Sequence, residues 1–419
     1  MSSRESAVKQ DNDGSARKFA YADVLRVGPG TIAGKYLRMF WHPVYVASEI
    51  SAGQVKPVRI LGEDLTLYRG ATGQPHIVAD RCAHRGVKLV LGFVHGDQIE
   101  CPYHGWKYDE NGQCVAQPGE QRPFCDQIKI RAYPTREYLG LIFVYMGEQK
   151  NPPPLPRLAD FEDEDFYVRD INTETWPCSY FDLLENATDL VHTEYLHWHF
   201  GYKTSGKLSW RESDWGMMGT FERSIGRGDE AIYNRSYFDM PTAAEFAQIG
   251  RPGFSGFFTR AWRIPRDDNS AIRFNLTALP RREAEVFAKR ASQGTAGPRN
   301  TADTERTART VVEASFDLLN GVENMGDLKA KSATMNHFYL TNIQDCAVLA
   351  SLGDPATRDF TEFLGGSDVS IALLRRLWVR ELTALDAGRA LKNWQRPDFL
   401  WKDVSDVQRE AVEKLQAEA

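Results

Sequence analysis

Residues 82–106 read CAHRGVKLVLGFVHGDQIECPYHGW and hold two mixed ligand pairs, Cys82-x-His84 and Cys101-x-x-His104, with sixteen residues between them. Two Cys and two His form a set that zinc accepts. A zinc finger, however, usually groups its cysteines first and its histidines later, whereas each pair here carries one of each. One Cys and one His per loop lets the two cysteines converge on one iron and the two histidines on another. Gly86 follows the first pair, and Pro102 and Gly105 flank the ligands of the second. Such residues let the chain turn tightly around a cluster and aim N–H groups at its sulfides. His42, His76 and His95 lie nearby but fit no such spacing, and lone histidines of this kind are expected to be solvated.

Outward from this stretch, residues 39–150 read as short strands. HPVYVAS, PVRILG, LTLYRG, PHIVAD, QIECPY and LIFVYMG are β-branched or aromatic runs, separated by Gly, Asp and Asn turn signals. A small all-β domain is the expectation. The proline-rich, acidic run NPPPLPRLADFEDEDF (residues 151–166) then reads as a linker or crossing. Beyond it, strand-like segments (YVRDINTETWPCSY, GMMGTFERSIG, IYNRSYFDM, SGFFTRAWRIP, AIRFNLTALP) mix with helical ones at residues 179–197, 283–293, 304–322 and 367–394. In the last, Ile371, Leu374, Leu377, Trp378 and Leu382 follow the i, i+3, i+4 rhythm of a packed helix. The fold class is α+β, with an antiparallel sheet covered by helices in the second part. The small polar run at residues 292–307 reads as a mobile excursion.

At 419 residues the chain is too long for one ordinary core, so two domains are expected: a tail and lead-in over 1–38, then 39–150 and 151–419. A net charge of −6 gives no basic footprint for nucleic acid, and no apolar run reaches the length of a membrane span. The opening MSSRESAVKQDNDGSARK has no apolar core for export, which points to the cytoplasm. In a reducing compartment the six cysteines are not expected to pair as disulfides; Cys178 and Cys346 read as buried small side chains.

A second constellation lies in ENATDLVHTEYLHWHF, where Asp189-x-x-His192 is followed five residues later by His197. Two His and one carboxylate on one face hold Fe(II) while leaving positions open. Asp189 and His192 fall on one side of a helix. His192 and His197 diverge by roughly 140° on a straight helix, so one metal can take both only if the helix bulges or breaks between them. Three of the nine histidines, His192, His197 and His199, cluster in this stretch, which argues against coincidence.

Together, RCAHRG…CPYHGWKYD and Asn186-x-x-Asp189-x-x-His192-x-x-x-x-His197 resemble the α subunits of Rieske non-haem iron oxygenases. The opening VGPGTIAGKYLRMFWHPVYVASEI and the single-chain layout are similar to the phthalate-type branch of that family. The resemblance implies an all-β Rieske [2Fe–2S] domain with Cys82, His84, Cys101 and His104 as cluster ligands. It implies a helix-grip, START-like catalytic domain with a mononuclear Fe(II) on His192, His197 and a downstream carboxylate. The segment NIQDCAVLASLG points to Asp345 for that carboxylate, ahead of Asp317 and Asp327, which lie on a polar helical stretch. Asp189 would pass electrons from His104 of a neighbouring subunit, Asn186 would sit close to the iron without clearly ligating it, and His199 would be structural.

Also implied are O₂ as co-substrate, electrons from NAD(P)H through a separate ferredoxin or reductase, a homotrimer, and an aromatic substrate. The branch either dihydroxylates aromatic acids or removes O-methyl groups. Demethylation of a methoxylated, lignin-derived biaryl acid is the expected reaction; ring hydroxylation and a Rieske electron-transfer protein without oxygen chemistry are the alternatives. Phe257, Phe258, Trp262, Arg260 and Arg263 are available for an aromatic acid, and read equally well as an ordinary sheet face.

Overall fold

The computed structural model describes residues 19, 21–148, 152–164, 167–225, 231–251, 254–281, 284–285, 301–335, 337–358 and 360–398. The tail 1–18, most of the helix expected over 283–293, and residues 292–300 of the expected mobile run lie outside these. Residues 301–307 of that run are instead the first turns of a long helix, in keeping with the helix formers Ala302, Glu305 and Arg306.

Two short helices, α1 (Tyr21–Leu25) and α2 (Ile32–Leu37), lead into the β-rich part. Its strands are β1 (Trp41–Val46), β2 (Val55–Ile60), β3 (Glu63–Arg69), β4 (Pro75–Ala79), β5 (Phe93–His95), β6 (Gln98–Glu100), β7 (Lys107–Tyr108), β8 (Cys114–Ala116), β9 (Ala132–Tyr133), β10 (Thr135–Tyr138) and β11 (Leu141–Tyr145). They form three small sheets in the orders β1-β11-β10, β2-β3-β4-β9 and β5-β6-β7-β8. The third sheet carries the ligand loops: Cys82 and His84 lie between β4 and β5, Cys101 and His104 at the tip between β6 and β7. Six of these strands, β5–β10, are two to four residues long, too short for an alternating pattern to show in sequence.

The second part runs β12 (Tyr167–Trp176), α3 (Tyr180–Thr188), α4 (His192–Tyr195), β13 (Tyr202–Glu212), β14 (Gly216–Ile225), β15 (Ala231–Asp239), β16 (Ala243–Arg251), β17 (Phe254–Pro265), β18 (Ala271–Pro280), α5 (Thr301–Leu319), α6 (Met325–Lys331), α7 (His337–Ser351) and α8 (Val369–Asp386). Its strands make one antiparallel sheet in the order β12-β18-β17-β16-β15-β14-β13. Strand β16, AAEFAQIGR, has weak intrinsic strand preference, and β13 is polar with an internal Gly; pairing with β14, β15 and β17 decides both. On α8 the buried stripe is Leu373, Leu374, Leu377, Trp378 and Leu382, with Ile371 only half-buried. Trp378 packs edge-on against Tyr36, Tyr180 and Phe181, tying the lead-in helices to the second part.

The two parts share one apolar core, in which Val44 and Phe143 meet Trp262 and Phe274. The two-residue β2–β3 turn, Leu61–Gly62, has positive φ at both positions. Its N–H groups donate to the carbonyls of Pro265 (2.9 Å) and Arg266 (2.8 Å) in the β17–β18 turn. Buried charge adds a second tie. Arg396 reaches Asp160 of the linker at 2.8 Å and Glu245 of β16 at 2.8 Å, and Arg260 bridges Asp239 and Glu245. The expectation that His42 is solvated is overturned: it is fully buried, with Nε2 2.7 Å from the Leu37 carbonyl, because β1 runs through the interior between the two parts.

Candidate metal centres

The two ligand loops of the β-rich part are built alike. In each, the Cys carbonyl accepts from the N–H four residues on, Gly86 (2.9 Å) or Gly105 (3.0 Å). In each, the Cys N–H donates to the carbonyl five residues on, Val87 (2.9 Å) or Trp106 (2.8 Å). Closing this turn places Gly86 at φ +73° and Gly105 at φ +71°, a region that favours glycine.

The cysteines are buried and adjacent. Burial pushes the Cys101 thiol up, the Tyr103 N–H pulls it down, and Cys82 alongside raises it again. The histidine rings lie 4.5 Å apart, centroid to centroid; His104 is exposed, and His84 is half-buried, stacked on Trp106 at 4.7 Å and 7°. Four ligands of one tetrahedral zinc would lie about 3–4 Å from one another. Among the described residues, however, these four supply no three ligand atoms that close within 4.8 Å. A Cys pair inside and a His pair outside suit two irons, not one ion.

The set that does close within 4.8 Å is His192, His197 and Asp345. The helix expected over residues 179–197 breaks twice rather than bulging, once ahead of His192 and once between His192 and His197. Helix α3 ends at Thr188, Asp189 turns to extended backbone (φ −78°, ψ 111°), and α4 restarts at His192. The Asp189 carboxylate Oδ1 accepts from the N–H of Val191 (2.9 Å) and of His192 (3.4 Å), which holds the break in shape. His197 follows α4 at φ −99°, ψ 47°, and this second irregularity swings its ring toward His192, centroid to centroid 5.2 Å. Asp345 arrives on α7, an element the sequence reading does not name as a helix.

The Nε2 atoms of His197 and His192 lie 3.2 and 3.7 Å from Asp345 Oδ1. Burial alone would raise the Asp345 carboxyl, yet bonding and charge from His197, then His192, hold it below the ordinary aspartate range. Asn186 Nδ2 lies 3.3 Å from Asp345 Oδ1 and 3.4 Å from His192 Nε2, so its amide borders the same point. Asp189 Oδ2 lies 3.5 Å from His192 Nδ1, on the opposite edge of that ring, and remains partly exposed. Two imidazole nitrogens and one carboxylate oxygen at one buried point, with small or neutral groups beside them, fit a mononuclear iron with open positions.

Residues 40–134 match the family model for the Rieske [2Fe-2S] domain. The chain is 29% identical over 416 residues to the 5,5'-dehydrodivanillate O-demethylase oxygenase subunit of Sphingobium sp. (strain NBRC 103272 / SYK-6), covering 93% of this chain and 86% of the relative. It is 27% identical to the phthalate 4,5-dioxygenase oxygenase subunit of Pseudomonas putida, covering 88% and 86%. Its fold is shared with NdmA of Pseudomonas putida CBB5, solved with caffeine, at a TM-score of 0.62 and 20% identity over 85% of this chain and 94% of that one. The chain belongs to the Rieske oxygenase α-subunit family. It is a Rieske non-haem iron oxygenase, whose cofactors are a [2Fe–2S] cluster and a mononuclear iron, with O₂ and electrons from a reductase.

In this oxygenase the competing carboxylates Asp317 and Asp327 are exposed, and Asp327 caps α6 through Asn324, well apart from the His pair in role. His199 bonds Thr341 of α7 at 3.2 Å. Arg260 is spent on its buried ion cluster, Trp262 packs on Phe143, and Phe258 packs on Phe161. Two contacts escape a sequence reading. Tyr108 sets its hydroxyl 3.1 Å from Cys82 Sγ while accepting from the Ala83 N–H at 3.0 Å. Gln344 sets its Oε1 2.9 Å from His197 Nδ1. Tyr108 sits two residues past the quoted stretch, where it reads as an ordinary strand residue; Gln344 sits next to a named ligand, and no spacing signal assigns it.

Proposed function

We propose that this oxygenase O-demethylates a methoxylated, lignin-derived biaryl acid of the 5,5'-dehydrodivanillate kind. The convergence of His192 Nε2, His197 Nε2 and Asp345 Oδ1 on one buried point carries the oxygenase chemistry. Near-full-length similarity to a named O-demethylase subunit supports the reaction. The balance is Ar–O–CH₃ + O₂ + 2 electrons + 2 protons giving Ar–OH, formaldehyde and water: the methyl carbon is hydroxylated, and the resulting hemiacetal collapses to phenol and formaldehyde. When bound, the cluster supplies single electrons and the mononuclear iron supplies O₂ activation.

The residues have separate tasks in this reading. Cys82 and Cys101 anchor the cluster inside, while His84 and His104 present it at the surface. His192, His197 and Asp345 hold the iron, and Asn186 narrows its open side. Asp189 orients the His192 ring and offers its exposed edge to a neighbouring chain's His104. Both ends of that bridge, exposed His104 and partly exposed Asp189, lie where another subunit can reach, which supports a homotrimer. Exposed Leu91, Phe93 and Tyr103 beside the ligand loops suit contact with that subunit or with an electron donor. Among the described residues no helix is long and apolar enough to cross a membrane. A cytoplasmic location and the division into 1–38, 39–150 and 151–419 belong to the same proposal.

Similarity to a phthalate dioxygenase subunit favours ring hydroxylation as the second reading. Supplied with O₂, NAD(P)H and a reductase, the protein is expected to release one formaldehyde per methoxylated biaryl acid consumed. Consumption of an unmethoxylated aromatic acid to a dihydroxylated product, without formaldehyde, would replace demethylation by ring hydroxylation.

A further inference from the structure

Gln344 is fully buried, and its Oε1 stands 2.9 Å from Nδ1 of His197. Its other polar atom, Nε2, is buried with no hydrogen-bond partner among the described residues. Leaving an amide donor unmet in the interior costs about 1–3 kcal/mol, so the one bond this side chain does make has to justify its presence. That bond faces away from the metal point. His197 turns its other nitrogen, Nε2, to within 3.2 Å of Asp345 Oδ1.

An imidazole can ligate through Nε2 only when its proton sits on Nδ1. An acceptor at Nδ1 secures that form, and a carbonyl oxygen is such an acceptor. The His192 ring shows the same sense: Asn186 Nδ2 faces its Nε2 and the Asp189 carboxylate its Nδ1. The two acceptors differ in charge. Asp189 is an anion with a partly exposed edge, whereas Gln344 is neutral and sealed, so the His197 side adds no second negative charge to a point already facing Asp345. Because Gln344 and Asp345 are consecutive on α7, one helix delivers both the carboxylate and the group that orients the ring opposite it. A shift of α7 therefore moves both together.

We propose that Gln344 is a positioning residue for the mononuclear iron, accepting from Nδ1–H of His197 and thereby holding the ring rotation and tautomer whose Nε2 binds metal. This rests on the reading of His192, His197 and Asp345 as iron ligands. The test is Fe(II) affinity of the full-length protein, measured by competition with a colour-forming chelator, while visible absorption of the cluster reports that the chain is folded and loaded. Gln344→Met keeps the length and removes the carbonyl, and is expected to weaken Fe(II) binding by about 10–100-fold. Gln344→Glu restores an acceptor and is expected to recover most of that loss.

Wild-type affinity in Gln344→Met, or equal losses in Met and Glu variants, would overturn the proposal. Should Gln344→Met lose the cluster absorption, Gln344→Asn, which withdraws the amide by one methylene, takes its place under the same criteria. His192→Ala separates the two levels: if it too binds Fe(II) as tightly as wild type, the ligand assignment itself is wrong. If it loses the iron while Gln344→Met does not, only the role of Gln344 fails.

Discussion

At the scale of single residues, each centre combines ligands that sequence spacing exposes with supports that it hides. The mixed pairs at Cys82/His84 and Cys101/His104 are legible as candidate cluster ligands because they come in two short loops. His192 and His197 are legible for the same reason. Asp345 is legible only through family resemblance, since it lies 148 positions beyond His197. Tyr108 and Gln344 are not legible, because nothing local distinguishes a tyrosine on a strand or a glutamine on a helix from its neighbours. Tyr108 has a measurable consequence. A Tyr108 hydroxyl donating to Cys82 Sγ would stabilise the more negative, reduced form of a cluster held there. Removing a bond worth about 1 kcal/mol to the reduced form lowers a one-electron potential by about 40 mV. Tyr108→Phe is therefore expected to shift the cluster potential downward by tens of millivolts in a redox titration, with the cluster retained. An unchanged potential would remove Tyr108 from the list of tuning groups.

At the scale of elements, the informative failures are irregularities. The five-residue spacing of His192 and His197 predicts a bulge or a break between them, and the chain breaks there: α4 ends at Tyr195 and His197 leaves helical geometry at φ −99°, ψ 47°. Periodicity can demand an interruption but cannot choose its form, nor does it foresee the earlier break at Asp189, whose carboxylate accepts from the Val191 and His192 N–H groups. Helix α7 escapes because an interior helix is apolar or satisfied on several sides and leaves a weak stripe. The twin ligand loops allow a controlled comparison. Both glycines have positive φ, but a Cβ on Gly105 would stand 2.7 Å from Pro118 Cγ, whereas on Gly86 it would meet nothing nearer than 3.9 Å. Gly86→Ala is expected to cost about 1–2 kcal/mol of backbone strain and to keep the cluster. Gly105→Ala adds a clash with a rigid ring and is expected to lower cluster content, read as visible absorption per chain. Equal cluster content in the two variants would mean that the Pro118 contact is unimportant.

At the scale of the molecule, a small redox part and a larger catalytic part are fused through one core. The hairpin turn Leu61–Gly62 bonds to the β17–β18 turn, and Arg396 clamps the linker to the sheet. The α+β class and its order along the chain are legible from strand-like runs followed by mixed segments. The completeness of the seven-stranded sheet is not, since β13 and β16 take their conformation from partners across the sheet. Such rigid fusion leaves each chain's exposed His104 and partly exposed Asp189 as fixed surface features. The central claim is that one chain carries both an electron-carrying cluster and a separate oxygen-activating iron. It is tested most directly by counting iron in wild type and in His192→Ala, alongside turnover. Three irons per wild-type chain are expected, falling to two in His192→Ala, with the cluster's visible absorption unchanged and formaldehyde release abolished. An unchanged iron count together with undiminished turnover in His192→Ala would contradict the account.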